Sequence, residues 1–363
     1  MKILHVSRTM GQGGAEKIVY QLCKDNKEHE QIVISCGGVY TKELKNIGIQ
    51  HVYMPDINRK DVFTVAKCLF LIWYTVKKEH IDIIHSHHRM GAFYGRLVSI
   101  LTGAKCVYTA HNIFFDKKRW LLFSLKNSQI VAVGKGVKNN LIQVYGIQEK
   151  RIKIIYNSIY LKKLNVFNRQ IETLKGQDKI LVGNIGRITQ QKGIDIFLEA
   201  LRIVINQNPK VVGVIVGTGD EEEKMKNLTA QLKINNNVLF LGFQKNVLDI
   251  ISQLDFIVLS SLWEGFPLTP IEVFSQGKTI IASDISGNNE IVEDGNNGIL
   301  FTSGDVDDLA AKIIFLINND NLKHQLELNA EFTYKTKFDY QNFIDSYNRV
   351  YKETFLSPSV MKH

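Results

Sequence analysis

The sequence is poor in cysteine, and the few cysteines that it has stand far apart. They are Cys23, Cys36, Cys68 and Cys106. None of them shows the C-x-x-C spacing of a redox motif or of a zinc site. Isolated cysteines of this kind are typical of buried free thiols. We therefore expect a protein of a reducing cytoplasm, and the sequence predicts no metal site built from cysteine.

Long hydrophobic runs are also missing. The apolar run at the N-terminus stops at Arg8, which predicts a strand rather than a signal peptide. The most apolar stretch, residues 62–76, contains Lys67 and is shorter than the roughly 20 residues that cross a bilayer. No internal repeat or low-complexity segment is present. With 45% hydrophobic and 22% charged residues, the 363-residue chain is predicted to form two soluble globular domains.

Acidic residues are scarce in the first half of the chain. Residues 1–168 hold 26 Lys and Arg against 11 Asp and Glu, a balance of +15, whereas the remainder has a balance of −6. Such a difference suggests that the first half faces an anionic partner, which is either a nucleic acid or a membrane surface.

Short β-branched runs alternate with longer amphipathic stretches along the whole chain, which indicates βαβ units and parallel sheets. The strand candidates are 2–7, 31–35, 81–86, 105–110, 129–133 and 152–156 in the first half, and 180–185, 211–216, 238–241, 255–260 and 278–283 in the second. We predict a doubly wound domain over 1–168, a second over 169–339, and a last helix, within 340–363, that returns to the first. Residues 161–179 are interpreted as the connection. Ligands are expected in a cleft at the carboxyl ends of both sheets.

Two carboxylates eight residues apart, Glu264 and Glu272, flank a turn that leads from an apolar run into a helix. Pro270 suits the first helical position and Thr269 before it suits the N-cap. The backbone N–H groups of Leu268 and Thr269 then form an anion site. Carboxylates bind hydroxyl groups, so the pattern predicts a ligand that carries both phosphate and hydroxyls, such as a nucleotide sugar.

A second anion site follows the strand candidate 180–185. Gly186 precedes Arg187, whose planar fork suits phosphate, and Lys192 adds a mobile point charge five residues later. The pattern alone also fits a glycine-rich turn with two solvated cations. Next to the Glu264 segment, we favour the interpretation that both cations neutralise a diphosphate.

The first domain has a glycine-rich turn at 11–14 and two histidine-containing strand ends at 85–88 and 109–112. The turn lacks the full G-x-G-x-x-G spacing of a dinucleotide site, and Glu16 after it also fits a favourable acid in a first helical turn. No carboxylate or cysteine lies at ligand spacing from the histidines, so no metal is predicted. The string Asp305-Val306-Asp307 is interpreted as a helix start rather than a metal site.

These motifs resemble those of glycosyltransferase family 4. Glu264 and Glu272 bracket an E-x7-E motif, with Gly186-Arg187 and Lys192 upstream, and VGTG at 216–219 and FLGF at 240–243 lie between them in the expected order. The resemblance extends over essentially the whole chain. It implies the GT-B fold of two Rossmann-like domains and a retaining, metal-independent transfer of sugar from a nucleotide-diphosphate sugar, with UDP as the expected nucleotide.

The resemblance also implies roles for individual residues. Glu272 is expected to bind ribose and Glu264 the donor sugar, and Arg187 and Lys192 are expected to hold the diphosphate. His111 is expected against the donor sugar, and the acceptor side is expected to include His85, His87 and Glu16. The other residues expected to line the donor are Gly13, Gly14, Gly186, Gly217, Gly242, Phe243, Gly265, Phe266, Leu268 and Thr269. No cofactor is expected, and the leaving phosphate itself accepts the proton of the acceptor hydroxyl.

The predicted function is therefore sugar transfer to a glycan or glycolipid precursor in cell-surface polysaccharide biosynthesis. The alternatives are a sugar-nucleotide epimerase of the same fold and a non-catalytic sugar-nucleotide-binding module. An oxidoreductase leaves Arg187 and Lys192 unexplained, and a nucleic-acid-binding protein leaves the Glu264 segment unexplained. We therefore expect no nucleic-acid partner.

Two basic, aromatic segments of the first half, residues 114–123 and 60–78, bear on the cellular location. Cations beside Trp, Phe and Leu suit an interfacial segment attracted to anionic lipid. Both segments also fit core helices with basic ends. With the balance of +15, the first interpretation predicts peripheral association with the inner face of the cell membrane.

Overall fold

A computed structural model describes residues 1–59, 61–116, 118–161 and 166–357. Lys60 and Lys117 of the basic segments lie outside the described residues. So do residues 162–165 of the predicted connection and residues 358–363 at the end of the chain. The chain divides into two compact units. Unit 1 comprises Met1–Ile159 and the segment that starts at Tyr340, and unit 2 comprises Tyr160–Asp339.

Unit 1 contains one parallel sheet, whose described strands are β1 (Lys2–Val6), β2 (Glu30–Ser35), β3 (Gln50–Tyr53), β4 (Ile83–Ser86), β5 (Lys105–Ala110), β6 (Ser128–Ala132) and β7 (Ile152–Ile154). Their order is β3-β2-β1-β4-β5-β6-β7. Every neighbouring pair is parallel. Because the order reverses direction at β1 and β4, the loops after these two strands lie at the switch point, where doubly wound sheets bind ligands.

Unit 2 contains a second parallel sheet of the same kind, with described strands β8 (Ile180–Ile185), β9 (Val211–Val216), β10 (Val238–Gly242), β11 (Phe256–Leu259), β12 (Ile280–Ser283) and β13 (Ile299–Phe301). Their order is β10-β9-β8-β11-β12-β13. The switch point here lies between β8 and β11. The two predicted anion sites follow these two strands directly.

Helices connect successive parallel strands, except β12 and β13, between which the described residues form no helix. In chain order they are α1 (Gly14–Asp25), α2 (Tyr40–Asn46), α3 (Val62–Lys78), α4 (Arg89–Thr102), α5 (Lys118–Ser124), α6 (Lys135–Gln143), α7 (Arg169–Gly176), α8 (Ile194–Gln207), α9 (Glu222–Gln231), α10 (Val247–Ser252), α11 (Thr269–Phe274), α12 (Val306–Ile317), α13 (Asp320–Lys337) and α14 (Tyr340–Leu356). None of the helices in the described residues combines the length and hydropathy that a bilayer crossing needs.

The apolar faces of the helices cover the sheets and form the cores. In unit 2, Phe197 and Leu201 of α8 pack with Phe256 of β11 and Ile313 of α12, all of them fully or almost fully buried. In unit 1, the α3 and α4 faces pack on β1, β2 and β4. At about 25 cal/mol per Å² of apolar surface removed from water, this burial is the main favourable contribution to folding.

Side chains cap two helix starts, and the described residues of the predicted connection belong to unit 2, where helix α7 occupies part of them. Asp305 caps α12 by accepting a hydrogen bond from the N–H of Asp308, so the predicted helix start at this string is confirmed. Asn168 caps α7 in the same way. Its N–H donates to Gln253 Oε1 at 2.9 Å, so this part of the predicted connection docks on unit 2.

Helix α14 follows unit 2 in the chain but packs in unit 1, against β5. Its tyrosines make the contacts. Tyr340 donates a hydrogen bond to Asp25 Oδ2 at 2.6 Å, and Tyr347 and Tyr351 are fully buried.

Candidate active site

The loops after β8, β9 and β10 are stacked on one another at the carboxyl edge of the second sheet. The N–H of Gly186 donates to Val216 O at 3.0 Å, and that of Gly217 donates to Gly242 O at 2.8 Å. The N–H of Ile188 donates to the carbonyl of Thr218 at 3.0 Å. The predicted glycines therefore come together in a single layer of backbone.

Glycine is required at the centre of this layer. Gly217 has φ of +138°, and a Cβ at this position would lie 1.8 Å from the carbonyl oxygen of Gly186. Any side chain would push the loops apart. The sequence VGTG thus keeps the loop that carries Arg187 close to the sheet edge.

The two predicted anion-site segments meet through an ion pair. Lys192 Nζ lies 2.5 Å from Glu264 Oε1, and the side chains are 15% and 9% exposed. The same carboxylate oxygen accepts a hydrogen bond from Ser261 Oγ at 2.8 Å. Pairing and hydrogen bonding offset the cost of removing both charges from water. Lys192 and Glu264 therefore act as one unit, although the sequence assigned them to different parts of a ligand.

Side chains of neighbouring loops donate hydrogen bonds to backbone carbonyls next to Glu264. Gln191 Nε2 donates to the carbonyl of Trp263 at 2.8 Å, and Ser283 Oγ donates to that of Ser261 at 2.5 Å. Gly287, with φ of +97°, lets the loop after β12 come close to the Glu264 segment. A Cβ added at this position would lie 3.0 Å from the carbonyl oxygens of Glu264 and Gly265. Residues 264–274 are buried throughout, so the carboxylate is held in a fixed position.

The start of α11 differs from the prediction by one residue. Leu268 is the N-cap and Thr269 is the first helical residue, so Pro270 occupies the second position. Thr269 does not cap the helix, because its Oγ1 points to the carbonyl of Ile185 at 3.5 Å. The predicted cap is therefore wrong. Glu272 lies in the first turn and is 6% exposed.

The remaining predicted residues of unit 2 differ in exposure. The Arg187 side chain is exposed, and it forms no ion pair with any residue that the structure describes. Phe243, which follows Gly242, is 49% exposed. Phe266 is buried and packs edge to face on Phe338 at 6.1 Å.

In unit 1 the glycine-rich turn opens α1, with Gly13 as the N-cap and Gly14 as the first residue. Glu16 accepts a hydrogen bond from Thr9 Oγ1 at 2.6 Å and lies in the first turn. A Cβ on Gly13 would lie 2.2 Å from Glu16 Oε2, so glycine there leaves room for the carboxylate. The carboxylate ties the turn to the end of β1.

Four histidines lie at the carboxyl edge of the first sheet, on β1 and β4 and at the ends of β4 and β5. His87 Nδ1 lies 3.1 Å from His111 Nε2, and His87 Nε2 lies 3.0 Å from His5 Nδ1. His85 is separate: its ring nitrogens lie 2.8 Å from the Tyr351 hydroxyl and 2.8 Å from Thr109 Oγ1.

This arrangement corrects the acceptor-side prediction for two histidines. His85 is completely buried and His87 is 7% exposed, and both ring nitrogens of each are within hydrogen-bond distance of protein partners. Neither ring has a nitrogen left for an acceptor. His85 instead anchors α14, and His87 joins His5 to His111, which is half-buried.

Burial keeps the imidazoles neutral. Desolvation lowers the pKa of His5 to about 4, against a hydrogen bond with Gln31 that raises it. Desolvation also lowers the pKa of His111 to about 4 and moves the pKa of His85 and of His87 well below 6.5. At neutral pH each of these rings therefore carries one proton.

Models of glycosyltransferase families match both units. Residues 12–163 match the model described as Glycosyltransferase Family 4, and residues 167–332 match the model described as Glycosyl transferases group 1. These matches reach across nearly the whole chain.

The chain belongs to glycosyltransferase family 4. Its two Rossmann-like units are those of the GT-B fold class, and it is an enzyme that transfers a sugar. The comparisons do not support an epimerase.

Two curated relatives of this glycosyltransferase come from bacteria. The UDP-Gal:alpha-D-GlcNAc-diphosphoundecaprenol alpha-1,3-galactosyltransferase of Escherichia coli is 25% identical over 97% of this chain and 96% of its own length. The N,N'-diacetylbacillosaminyl-diphospho-undecaprenol alpha-1,3-N-acetylgalactosaminyltransferase of Campylobacter jejuni is 25% identical over 92% and 94%. Both names describe transfer to a lipid-linked acceptor.

Solved structures agree in fold. A glycosyltransferase from Rickettsia africae superposes with a TM-score of 0.86 at 25% identity, covering 98% of this chain and 99% of that one. The Anabaena protein HepE, solved with UDP-glucose, gives a TM-score of 0.85 at 22% identity over 97% and 100%.

Several residues of the glycosyltransferase that shape its site escaped the sequence analysis. Ser261 and Gln191 were adjacent to predicted residues but carried no motif, and Gly287 lay in a loop without one. His5 stood within a predicted strand and looked like core. His5 stands between Leu4 and Val6, which are also buried, and nothing in this short run indicated that its ring joins a polar cluster.

Proposed function

We propose that this glycosyltransferase moves a sugar from a UDP-sugar to a hydroxyl group of a lipid-linked glycan precursor, with retention of the anomeric configuration and without a metal ion. The observation that carries the proposal is the cationic loop after β8. It combines an exposed guanidinium, Arg187, with an ammonium, Lys192, that a buried carboxylate holds in place.

The donor diphosphate is proposed to bind at this loop. Its charge grows as the bond to the sugar breaks, so fixed cations stabilise the transition state more than the ground state. Arg187 offers a planar fork to two phosphate oxygens, and Lys192 offers a point charge. The backbone N–H groups of Leu268 and Thr269 are proposed to assist. Two cations then supply the charge that a divalent ion supplies elsewhere, which is the basis for proposing metal independence.

The nucleoside and the sugar are proposed to lie on either side of the diphosphate. Glu272 accepts hydrogen bonds from ribose hydroxyls, and the backbone of Gly242 with the exposed ring of Phe243 lies along the base. Glu264 accepts hydrogen bonds from hydroxyls of the transferred sugar through Oε2, which also lies 3.4 Å from Gln191 Nε2. The choice of UDP rests on the names of the relatives, including the Escherichia coli enzyme.

Retention is proposed because the motifs of the chain resemble those of retaining members of family 4, and no described side chain of the site is an evident nucleophile for a double displacement. The leaving phosphate oxygen accepts the proton of the acceptor hydroxyl, which attacks the face that the phosphate leaves. His111 contacts the donor sugar. The glycine-rich turn with Glu16 lies near the sugar and the acceptor.

A membrane surface is proposed as the place of reaction. Helices α3, α4 and α5 pack side by side in unit 1 and present an aromatic surface, made of Phe63, Phe70, Leu101, Trp120 and Phe123, each between 41% and 88% exposed. Exposed cations lie on two of the same helices, α3 and α5: Lys67, Lys77, Lys78, Lys118 and Arg119. Exposed aromatics with flanking cations suit the interface of an anionic bilayer. The acceptors in the relatives' names carry an undecaprenyl chain, and we propose that an acceptor of this kind is held at such an interface.

The decisive experiment combines binding with turnover. In a thermal-shift screen of nucleoside diphosphates, UDP should raise the melting temperature most, since a ligand of the folded state stabilises it. The protein should then form product from a UDP-sugar and a polyprenyl-diphosphate glycan. Proton NMR of the first product formed should show the anomeric configuration of the donor. Turnover without acceptor, or an inverted product, contradicts the proposal.

A further inference from the structure

A row of hydrogen bonds crosses four neighbouring strands of unit 1 and ends at His111. Gln31 on β2 has its Oε1 2.5 Å from His5 Nε2, and His5 Nδ1 lies 3.0 Å from His87 Nε2. His87 Nδ1 then lies 3.1 Å from His111 Nε2. Gln31, His5 and His87 are buried, at 6%, 0% and 7% exposure. We call these four residues the imidazole row.

The donor and the acceptor of every hydrogen bond in the row can be assigned by starting from Gln31, which is the buried end of the row. Gln31 Nε2 donates to the carbonyl oxygen of Asn26 at 3.1 Å. A carbonyl oxygen only accepts, so the amide cannot be turned round, and Oε1 must face His5. Since Oε1 also only accepts, His5 Nε2 carries the proton and donates.

A neutral imidazole has one N–H, so each proton position determines the next. With its proton on Nε2, His5 accepts at Nδ1, and the bond must come from His87 Nε2. His87 then accepts at Nδ1 from His111 Nε2. The rings stay neutral because burial opposes their protonation, as the lowered pKa values of His5 and His111 indicate.

We propose that Gln31, His5 and His87 are positioning residues that hold His111 in the tautomer with its proton on Nε2, so that its Nδ1 accepts a hydrogen bond from a hydroxyl group of the donor sugar. No residue that the structure describes is hydrogen-bonded to His111 Nδ1. The part that concerns the sugar rests on the proposed function. The part that concerns the tautomer does not.

The row accounts for this cluster better than a bound metal does. Ring nitrogens of His5, His85 and His87 lie within 4.8 Å of one another, which is a spacing that a metal ion could use. Each of their six ring nitrogens, however, already lies within 2.5 to 3.1 Å of a protein partner. A metal would have to displace those partners. The groups that face the row from α14 and β5 are the hydroxyls of Tyr351, Tyr347 and Thr109, which are uncharged at neutral pH.

The test reads the tautomer directly, without substrate. Protein labelled with ¹⁵N-histidine is studied by long-range ¹H–¹⁵N correlation at neutral pH, with His111 assigned through its replacement by Gln. Wild-type protein should show His111, His87 and His5 all neutral and protonated on Nε2. His111 protonated on Nδ1, or a metal bound at the histidines in a metal analysis of the purified protein, overturns the proposal. The tautomer is read in the wild-type protein, and His111→Gln serves only to assign the His111 signal.

A variant at the far end of the row tests its control over His111. Gln31→Met removes the acceptor of the first bond, and Gln129→Met on β6 is its control, because Gln129 bonds only backbone carbonyls away from the row. Gln31→Met should give a mixture of tautomers at His111, with kcat lower by about tenfold and KM little changed, the effect of one lost hydrogen bond in the transition state. Gln129→Met should change neither.

The outcomes separate this inference from the proposed function. An unchanged His111 tautomer in Gln31→Met overturns the control by the row, whether or not the enzyme transfers sugar. A mixed tautomer with unchanged kcat overturns the inferred contact with the sugar hydroxyl and leaves the proposed transfer reaction standing. If Gln31→Met and Gln129→Met lose activity to the same extent, the loss reflects general damage to the structure, and the positioning role is overturned.

Discussion

Lys192 Nζ lies 2.5 Å from Glu264 Oε1, which joins the cationic loop after β8 to the carboxylate segment after β11. These segments are 72 residues apart in the chain. The pairing fixes the ammonium of Lys192 against one carboxylate oxygen of Glu264, while the other oxygen, Oε2, lies 3.4 Å from Gln191 Nε2.

The first prediction separates the two cations of the site. Arg187→Ala and Lys192→Ala should each lower turnover by about 10²-fold, since each removes a charge that stabilises the leaving diphosphate. Only Lys192→Ala should also lower the free energy of unfolding, by roughly 3 kcal/mol, because it leaves the Glu264 carboxylate buried without its partner. Denaturant unfolding and initial rates measure the two effects. Lys226→Ala, at an exposed cation of α9, is the control, and near-wild-type rates for both site variants contradict the diphosphate assignment.

A second prediction separates the two carboxylates. Glu272→Ala should weaken UDP and UDP-sugar alike, by about 1.5 kcal/mol or more, because ribose is common to both. Glu264→Ala should weaken UDP less than Glu272→Ala does and should lower turnover, because it loses contacts to the sugar while Lys192, although no longer oriented by the carboxylate, keeps its charge for the diphosphate. Calorimetry with both ligands at one salt concentration makes the comparison, with the exposed Glu199→Ala as control. If Glu264→Ala weakens UDP as much as Glu272→Ala does, the assignment to two ends of the donor is wrong.

The third prediction concerns metal ions. Turnover should survive EDTA, because Arg187 and Lys192 supply fixed positive charge at the diphosphate. Rates with EDTA, with manganese and with magnesium are compared in the same buffer. Loss of activity on chelation that manganese restores is the result that contradicts metal independence.

The fourth prediction is that stability falls as the solution is made acidic. His5 and His111 titrate near pH 4 when folded and near 6.5 when unfolded. Between these values the unfolded chain binds more protons, so the free energy of unfolding is greatest above about pH 7 and decreases toward pH 4. Each unit of pKa difference corresponds to about 1.4 kcal/mol. Urea unfolding at pH 7, 6 and 5 gives the free energy of unfolding as a function of pH. This pH dependence should be weaker for His111→Gln than for the wild type, and it should be unchanged for His324→Gln, whose side chain is 72% exposed. The same pH dependence in both variants would show that His111 does not contribute.

The fifth prediction concerns the aromatic surface of α3, α4 and α5. The protein should sediment with anionic vesicles, and binding should fall steeply as salt rises, because exposed charges are screened. Phe63→Ala with Trp120→Ala should reduce binding at every salt concentration. Phe332→Ala, at a phenylalanine of unit 2 that is 68% exposed, should not. Equal binding to neutral vesicles, or none to either kind, removes the electrostatic part of the proposal.

The sequence predicted most of the two sheets because buried parallel strands are continuous apolar runs. It missed β3, whose residues Gln50–Tyr53 are polar and partly exposed at the sheet edge. It also missed β13, which spans only Ile299–Phe301. Short and exposed strands carry too few buried side chains for a recognisable pattern.

At the site, the sequence predicted residue types but not their pairing. Two segments with opposite charges can meet only through the fold, so the contact between Lys192 and Glu264 was not readable from spacing. Thr269 has the chemistry of a cap, but its hydroxyl faces the carbonyl of Ile185 on another element. His5 and Gln31 lie on different strands, and only the register of β1 and β2 makes them neighbours.

The hydroxyls of Tyr347 and Tyr351 complete hydrogen bonds inside unit 1, although both tyrosines belong to the last helix of the described chain. A ribosome releases residues 1–159 well before it releases α14, with the whole of unit 2 in between. During that interval His85 and Thr109 lack their partners, and the face of β5 that α14 covers is open to water. Unit 1 therefore cannot complete its own hydrogen bonds until α14, which follows all of unit 2 in the chain, has been synthesised.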